Sequence, residues 1–210
     1  DPAVSVSTAL VNSVAPNNVT GFPGAARSSA EPLPTGVFGG SFLAPPDGIL
    51  SGLTGAGKAP TIELWFKTAT AGGVIYGYGN PSTGKWEPVL YVGSDGNLRG
   101  RIGTTSPPTP IDSGTVVNDS KWHHVVLTVS LPDPTGAVQQ MLYLDGALKG
   151  TVSGAPNVAS MPAAHIGTGV SAGFPAGCPS WCSFWGNMAD IAYYNHPLDA
   201  NRVAAHYQAG

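Results

Sequence analysis

Two Asp-Gly dipeptides, each flanked by short apolar runs, constrain the fold of this chain more than any other feature of the sequence. The first occupies positions 95–96, between residues 88–93 and 98–103, and the second occupies positions 145–146, within residues 139–154. Asp-Gly between alternating apolar residues is the strongest short-range signal of a β-hairpin, because its tight turn needs positive φ angles. The sequence therefore predicts two antiparallel hairpins.

Further strands are predicted at short, regular intervals along the chain. They correspond to apolar or alternating runs at residues 3–11, 37–43, 61–68, 74–79, 122–131, 163–169 and 186–194. Only residues 198–208 have the pattern of a helix, with Asp199 as its N-cap and Gly210 as its stop. Closely spaced strands with hairpin turns and almost no helix predict an all-β, two-sheet antiparallel sandwich with a short C-terminal helix.

One domain covering residues 1–210 is the simplest organisation, because no internal repeat is found and the length suits a single sandwich. Residues 12–36 are rich in Asn, Pro, Gly and Ala and are predicted to form a loop. If they were a linker from another module, the strand at 3–11 would have no partner. We therefore expect residues 1–36 to dock on the sandwich as a strand followed by a loop.

The charge of the chain narrows the classes of partner. Nine basic and twelve acidic residues give a formal net charge of −3, and no basic stripe is present, so a nucleic-acid partner is not expected. No apolar run reaches the roughly 18 residues that span a bilayer, so no membrane insertion is expected. The chain begins at Asp1-Pro2 without Met, which suggests that any signal peptide has been removed.

The only cysteines, Cys178 and Cys182, enclose a Pro-Ser-Trp segment. A zinc site needs about four ligands, and no second Cys/His pair lies nearby. The spacing also differs from the Cys-x-x-Cys spacing of redox motifs. We therefore predict a small disulfide loop, which places the protein in an oxidising compartment, either secreted or at a cell surface.

Six segments follow one another in an order that carries a family resemblance. They are TIELWFKT at 61–68, LYVGSDGNLRGRI at 90–102, VNDSKWHHVVLTVS at 117–130, QMLYLDGALKG at 140–150, HIGTG at 165–169 and FWGNMADIAYYNHPLDANRVAAH at 184–206. As a set they resemble the laminin-G-like domains of bacterial extracellular proteins, within the concanavalin A-like lectin/glucanase superfamily. The resemblance implies a jelly-roll of two antiparallel sheets, carbohydrate or protein binding and, in some members, one calcium ion.

The same resemblance indicates where calcium would bind. Many family members carry two acidic residues in the last strand, where this chain has Ala189-Asp190, so one potential side-chain ligand is absent. Calcium takes six to eight oxygen ligands, and Asp190 would share it with oxygens of the N-terminal region or of the loop at 44–48. The alternative is that Asp190 hydrogen-bonds neighbouring backbone groups at a sheet edge.

Catalytic motifs are incomplete. Glucanases of this superfamily place carboxylates at alternate positions of one strand, but the strand at 61–68 carries only Glu63. The Gly-x-Ser-x-Gly motif at 169–173 lacks the strand–turn–helix context of a nucleophile elbow. His123 and His124 point to opposite faces of a strand and cannot bind one metal from the same face, so we expect packing or hydrogen bonding. The chain is predicted not to be an enzyme.

Aromatic side chains indicate a ligand site, because Trp and Tyr offer flat, rigid contact area to the C–H faces of sugar rings. Trp86 follows a turn-forming stretch and Trp181 lies inside the cysteine loop, so both are expected at the surface. Trp65, Trp122 and Trp185 lie in or next to strands and are expected to be packed. The candidate ligand-binding residues are Trp86, Trp181, Tyr76, Tyr78, Asn80, Arg99 and Arg101, with His165 and Asn187 as further polar companions.

Two functions are consistent with these observations. The first is a non-catalytic carbohydrate-binding module of a secreted or cell-surface protein. The alternative is an adhesion or spacer module that contacts another extracellular protein or the neighbouring modules of a larger chain. In the second case the aromatic side chains, including the Tyr76 and Tyr78 pair on one face of its strand, would be core or interface residues.

Overall fold

Two β-sheets form most of the structure, which is a computed structural model of the chain. It describes residues 4–5, 26–28, 35–54, 58–103, 109–131, 135–158 and 160–210, with only the backbone described for 4–5, 26–28 and 35. In chain order the strands are β1 (Val4–Ser5), β2 (Ala26–Ser28), β3 (Thr35–Gly39), β4 (Thr61–Lys67), β5 (Gly73–Asn80), β6 (Lys85–Val92), β7 (Asn97–Gly100), β8 (Ile111–Val116), β9 (Trp122–Val129), β10 (Gln139–Leu144), β11 (Ala147–Ser153), β12 (Ala163–Ile166), β13 (Thr168–Val170), β14 (Trp181–Ser183) and β15 (Trp185–Tyr194). The helices are α1 (Ile49–Gly52) and α2 (Ala200–Ala209). No helix within these ranges is long and apolar enough to cross a membrane.

The strands pair into two layers. The first sheet has the order β11-β10-β9-β4-β15-β3-β2, and β1 pairs with β15 beside this path. The second sheet has the order β13-β14-β5-β6-β7-β8, and β12 pairs with β5. The pairs are antiparallel except for β14 with β5, which is parallel. This architecture confirms the predicted all-β sandwich of two sheets with one short C-terminal helix.

The core lies between the two sheets and is built from alternate strand positions. On β4, Ile62, Leu64 and Phe66 are buried in this core. Because successive side chains of a strand point to opposite faces, Glu63 and Trp65 lie on the outer face of the first sheet. Full burial of an aliphatic or aromatic side chain contributes about 1.5–3 kcal/mol relative to exposure. The alternation therefore stabilises the sandwich while leaving the outer face available for helix α2.

Both predicted hairpins are present. Strands β10 and β11 pair up to Leu144 and Ala147, so their turn consists of Asp145 (φ 53°) and Gly146 (φ 75°) alone. Positive φ at both central residues is the mark of the tight turn that matches the twist of the flanking strands. Strands β6 and β7 form the other hairpin, and Gly96 in its turn has φ 82°.

The N-terminal stretch is described only in part. Val4 pairs with Tyr193 and Ser5 pairs with Ala192 on β15. The rest of the predicted strand at 3–11 and most of the predicted loop at 12–36 lie outside the described residues. Docking of residues 1–36 as a whole, and the assignment of residues 1–210 to one domain, stay predictions.

Helix α2 begins where the sequence predicted and covers the outer face of the first sheet. The side chain of Asp199 accepts a hydrogen bond from the backbone N–H of Arg202 at 2.8 Å, which is the geometry of an N-cap. Val203 is fully buried and packs with Leu198 and with Val126 of β9. This small second core holds the helix against the sheet.

A buried carboxylate adds polar contacts to this interface. Glu63 of β4 accepts hydrogen bonds from His124 Nε2 at 2.7 Å, from Tyr194 Oη at 2.6 Å, and from His206 Nδ1 at 2.9 and 3.1 Å to its two oxygens. Burial alone would raise the pKa of Glu63, but the hydrogen bonds from His124 and Tyr194 outweigh it, and the pKa is lowered. His206 belongs to helix α2, so this cluster ties the helix to the sheet.

The neighbouring histidine, His123, has a separate pair of carboxylate partners. Its Nδ1 lies 2.9 Å from Asp145 Oδ2 and its Nε2 lies 3.1 Å from Asp119 Oδ1. Burial alone would lower the pKa of His123, but the hydrogen bonds and charges of Asp145 and Asp119 outweigh it and raise the pKa. The expectation that at least one of the two adjacent histidines is hydrogen-bonded is confirmed for both, since His124 contacts Glu63.

This arrangement predicts a pH-dependent contribution to stability. Because the folded-state pKa of His123 is raised, its contribution is fully present below the unfolded value of about 6.5 and is lost as the pH rises through the raised value. We expect His123→Gln to lower the free energy of unfolding by about 1 kcal/mol at pH 5–6 and by less at pH 8. Urea unfolding of both proteins across this range checks it. If the difference in unfolding free energy between the wild type and His123→Gln grew with pH, the assignment would be contradicted. The other histidines are present in both proteins, so their contributions cancel in this difference.

Candidate functional site

A tryptophan lies flat on the outer face of the second sheet. Trp86 of β6 pairs with Gly79 of β5, next to the pair of Tyr78 with Glu87. A Cβ atom built at Gly79 would lie 2.5 Å from Trp86 Cε3 and 2.6 Å from the carbonyl oxygen of Lys85, far inside van der Waals distance. Only glycine lets the indole rest directly on the strand. Since Tyr78 faces the core, Trp86 and Gly79 face away from it.

A histidine is stacked beside this tryptophan. His165 of β12 lies with its ring centroid 4.2 Å from Trp86 at an interplanar angle of 28°, and 4.3 Å from Phe42 at 36°. Within the described residues its Nδ1 atom is buried and has no hydrogen-bond partner, while the side chain as a whole is only partly buried, so Nε2 is the nitrogen that can reach the surface. Burial lowers the pKa of His165, so the ring is neutral at pH 7. The imidazole is thus fixed between two aromatic rings with one nitrogen open to the surface.

Trp181 completes the group. Its side chain is 50% exposed, and its ring centroid lies 5.2 Å from Trp86 and 5.9 Å from His165. Trp181, in β14, pairs with Val170 of β13, which is the edge strand of the second sheet. We call Phe42, Trp86, His165 and Trp181 the aromatic surface. It brings together residues from β6, β12, β14 and the segment after β3, and includes both tryptophans predicted as ligand contacts.

The predicted disulfide between Cys178 and Cys182 is confirmed. Cys182 packs with Val74 and Tyr91 on the outer face of the second sheet. The hydroxyl of Tyr91 donates to the carbonyl oxygen of Pro175 at 2.8 Å, which fastens the loop before Trp181 to the same face. The disulfide loop is therefore a clamp, in the sense that it fixes Trp181, at one end of the aromatic surface, against the second sheet.

The Gly-x-Ser-x-Gly motif at 169–173 is part of this clamp. Ser171 is buried, and its Oγ accepts a hydrogen bond from the backbone N–H of Cys178 at 3.1 Å. The same oxygen lies 3.1 Å from Cys178 Sγ. A serine enclosed by the loop has a structural role here, as the lack of a helix after the motif suggested.

Tyr76 and Tyr78 do not belong to the aromatic surface, which corrects their place among the expected ligand contacts. They are 0% and 1% exposed and are part of the core between the sheets. Tyr78 donates a hydrogen bond to Glu87 Oε2 at 2.8 Å. The period of β5 requires them to share a face, and that face is the inner one, with Gly77 and Gly79 on the outer one.

Arg99 and Arg101 are also removed from the expected ligand contacts, because both are buried. Arg99 forms ion pairs with Asp95, at 2.7 Å, and with Asp112. Arg101 donates to Thr109 Oγ1 at 2.6 Å and to backbone carbonyl oxygens. These guanidinium groups hold the β6–β7 and β7–β8 region together and have few donors left for a ligand.

Asn80 has a local structural role. Its amide nitrogen donates to the carbonyl oxygen of Ser160 at 2.9 Å, and its amide oxygen accepts from the backbone N–H of Ser82 at 3.0 Å. The residue therefore shapes the turn between β5 and β6, directly beside the pair of Gly79 and Trp86. Its contribution to the aromatic surface is to fix this turn.

Asp190, the expected calcium ligand, lies at an irregularity of β15 and has φ 48°. Burial and the charge of Glu63 raise the pKa of its carboxyl group. Glu63 is already engaged by its three hydrogen-bond donors, and within the described ranges no group of three His, Cys, Asp or Glu residues is arranged to hold a metal ion. Calcium at Asp190 stays a prediction from the family resemblance.

Of the three remaining tryptophans, all expected to be packed, Trp65 and Trp122 are at least partly buried and Trp185 is exposed. Trp65 lies beneath helix α2, stacked on Tyr207 with centroids 5.7 Å apart. Trp122 is partly buried at the start of β9 with Lys67 Nζ 5.3 Å from its ring centroid. Trp185 is 53% exposed, and its ring has no described contact with the aromatic surface. It is therefore a matched control for Trp181.

Sequence reasoning missed two members of the site. Phe42 falls in the strand predicted at 37–43, and nothing in the sequence marks its proximity to His165. Gly79 carries a usable signal, because Gly77 and Gly79 alternate with Tyr76 and Tyr78. A strand with glycines along one face indicates that a ring or another backbone approaches that face closely.

A family model agrees with this fold. The model of the concanavalin A-like lectin/glucanases superfamily, of laminin-G type, matches residues 42–204. The chain belongs to this superfamily. No curated protein sequence matches the chain.

Several solved structures share the fold. The LG4-5 domains of the mouse laminin alpha1 chain superpose with a TM-score of 0.51 at 18% identity over 77% of this chain, which spans 41% of that fragment. Domain 4 of an extracellular GH43 arabinanase from Geobacillus stearothermophilus, solved with arabinotriose, gives 0.55 at 16% identity over 90% of this chain and 80% of that domain. The CBM40 domain of the Ruminococcus gnavus IT-sialidase, bound to α2,3 sialyllactose, gives 0.51 at 17% identity over 71% and 83%. At these identities the likeness establishes the fold that is shared.

Proposed function

We propose that the chain is a non-catalytic carbohydrate-binding module that takes a saccharide on the aromatic surface, within a secreted or cell-surface protein. The observation that carries the proposal is the convergence of Trp86 and Trp181 around His165 on one outer face of the second sheet. Flat, rigid rings with a polar group at their centre suit the C–H faces and hydroxyl groups of a sugar.

Other features of the molecule support the proposal. The arabinanase domain and the CBM40 domain, which share the fold, were solved with bound saccharides. The disulfide fits an oxidising compartment. The groups that resemble catalytic residues have structural partners, since Glu63 is held by three donors and Ser171 is enclosed by the cysteine loop.

The test is a glycan array followed by titration calorimetry with any glycan that binds. We expect Trp86→Ala and Trp181→Ala each to weaken binding about tenfold or more, the range of a buried aromatic contact at an interface centre. Trp185→Ala is the control, because Trp185 is as exposed as Trp181 and its ring lies outside the aromatic surface. We expect that variant to bind like the wild type.

Two outcomes would overturn the proposal. One is that a folded, oxidised protein gives no glycan signal; this would favour the alternative of an adhesion or spacer module that contacts protein. The other is that a glycan binds equally well to the wild type, Trp86→Ala and Trp181→Ala, which would place the site elsewhere. Circular dichroism and melting temperature of each variant separate loss of contact from loss of folding.

A further inference from the structure

We propose that His165 determines the specificity of the aromatic surface by donating a hydrogen bond from Nε2 to a hydroxyl oxygen of an uncharged saccharide. This inference rests on the proposed function and adds the class of ligand and the polar contact. His165 occupies the centre of the surface, with Trp86 stacked on one side, Phe42 close by and Trp181 within 5.9 Å.

The burial of the ring decides its protonation and tautomer. Nδ1 is enclosed and has no hydrogen-bond partner in the described part of the chain. A proton on Nδ1 would be a buried, unpaired donor, which costs about 1–3 kcal/mol. The neutral tautomer with its proton on Nε2 leaves Nδ1 as a buried, unpaired acceptor instead, which proteins tolerate more often than a buried, unpaired N–H donor. The imidazolium form would need both protons, so the same burial disfavours a positive charge at this position.

Among the described residues, the strands of the second sheet direct no lysine or arginine side chain to the aromatic surface. Its strands and the residue after β7 carry Lys85, Arg99 and Arg101. Lys85 pairs with Glu87 at 2.8 Å, and these alternate residues of β6 lie on the opposite face to Trp86. Arg99 and Arg101 are buried and engaged by Asp95 and Thr109 respectively.

Five of the remaining basic residues lie in or next to strands of the first sheet or in helix α2: Arg27, Lys67, Lys121, Lys149 and Arg202. The sixth, Lys58, donates a hydrogen bond from its amino group to the carbonyl oxygen of Gly52 in helix α1 at 2.7 Å. A carboxylate on a ligand would therefore lose hydration at the aromatic surface without gaining an ion pair. Burying an unpaired charge is strongly unfavourable, so the chemistry of the surface fits neutral sugars and not acidic ones.

The first experiment distinguishes the aromatic contact of the His165 ring from the hydrogen bond donated by its nitrogen. His165→Phe keeps an aromatic ring between Trp86 and Phe42 but removes the donor. We expect it to weaken binding of the glycan identified on the array about three- to tenfold, the effect of one net hydrogen bond. Because the substitution also removes the unpaired Nδ1, we expect the melting temperature not to fall. If His165 had only a structural role, the melting temperature would fall and the loss of binding would follow from it. His165→Met, with a flexible apolar side chain, is the second variant and should show the same loss.

The second experiment tests the charge of the ligand. Arabinotriose, cellotriose and lactose serve as neutral probes, and sialyllactose and trigalacturonate serve as acidic probes, at low ionic strength where an ion pair would be strongest. We expect the acidic probes to bind no tighter than their neutral counterparts. Tighter binding of an acidic probe, or full affinity in both His165 variants, would overturn the inference.

These failures are distinguishable from failure of the proposed function. If glycan binding depends on Trp86 and Trp181 but not on His165, only the role of His165 is wrong. If acidic probes bind best and still depend on both tryptophans, only the ligand class is wrong. If no glycan binding depends on the tryptophans, the proposed function itself is wrong.

Discussion

Replacing Glu63 with alanine is expected to lower the free energy of unfolding by about 3–5 kcal/mol at pH 7. The carboxylate is buried and accepts hydrogen bonds from His124, Tyr194 and His206. Alanine would leave three donors without an acceptor and would open a cavity beneath helix α2. Native domains are stable by only about 5–15 kcal/mol. The variant should therefore unfold at a much lower urea concentration and a much lower temperature than the wild type.

Two matched variants sharpen this prediction. Glu63→Gln keeps the shape and an acceptor oxygen but not the charge, and should cost less, about 1–2 kcal/mol. Asp47→Ala removes an exposed carboxylate and should stay within about 0.5 kcal/mol of the wild type. Urea unfolding followed by far-ultraviolet circular dichroism measures all three. A loss below 1 kcal/mol for Glu63→Ala would show that the cluster does not secure the helix.

Removing the disulfide is expected to lower the free energy of unfolding by about 2 kcal/mol, from the entropy of closing a loop of about five residues in the unfolded chain. The double variant Cys178→Ser/Cys182→Ser makes the change. It also releases the clamp that positions Trp181, since Cys182 packs on Val74 and Tyr91. We therefore expect weaker glycan binding in the same variant, with little change in the core.

Reductant provides the internal control for this second prediction. Dithiothreitol should lower the unfolding free energy of the wild type to that of the double variant and should leave the double variant unchanged. If oxidised wild type and double variant unfold at the same urea concentration, the bond adds no stability. If reduction destabilises the double variant as well, the reductant acts through something other than the disulfide.

The parts of the fold that the sequence predicted well depend on local chemistry. The two hairpins follow from Asp-Gly turns, and the cap of helix α2 follows from Asp199. Strand β14 lies between the strands predicted at 163–169 and 186–194, where no strand was predicted, because its pairing joins Trp181 to Val170 across a long loop. Strand β8, which begins at Ile111, likewise lies between the strands predicted at 98–103 and 122–131, where no strand was predicted. Such pairings depend on distant partners that short-range patterns do not encode.

The site was predictable in the same uneven way. The context of Trp86 and Trp181 indicated surface positions, but their contact requires β6 and β14 to lie on either side of β5. The period of β5 showed that Tyr76 and Tyr78 share a face without showing which face is inside. The inner face is the one that packs against the other sheet, and the position of that sheet cannot be read from the periodicity of one strand.

The position of Trp86 on the backbone at Gly79 has a consequence for kinetics. The indole is immobilised by the strand beneath it and by His165 beside it before any ligand arrives. Ordering a flexible side chain on binding costs about 0.5–1.5 kcal/mol, and here folding has already met that cost. A saccharide that docks on such rings meets a rigid template, so affinity differences among related ligands should appear in residence time, with association rates nearly constant.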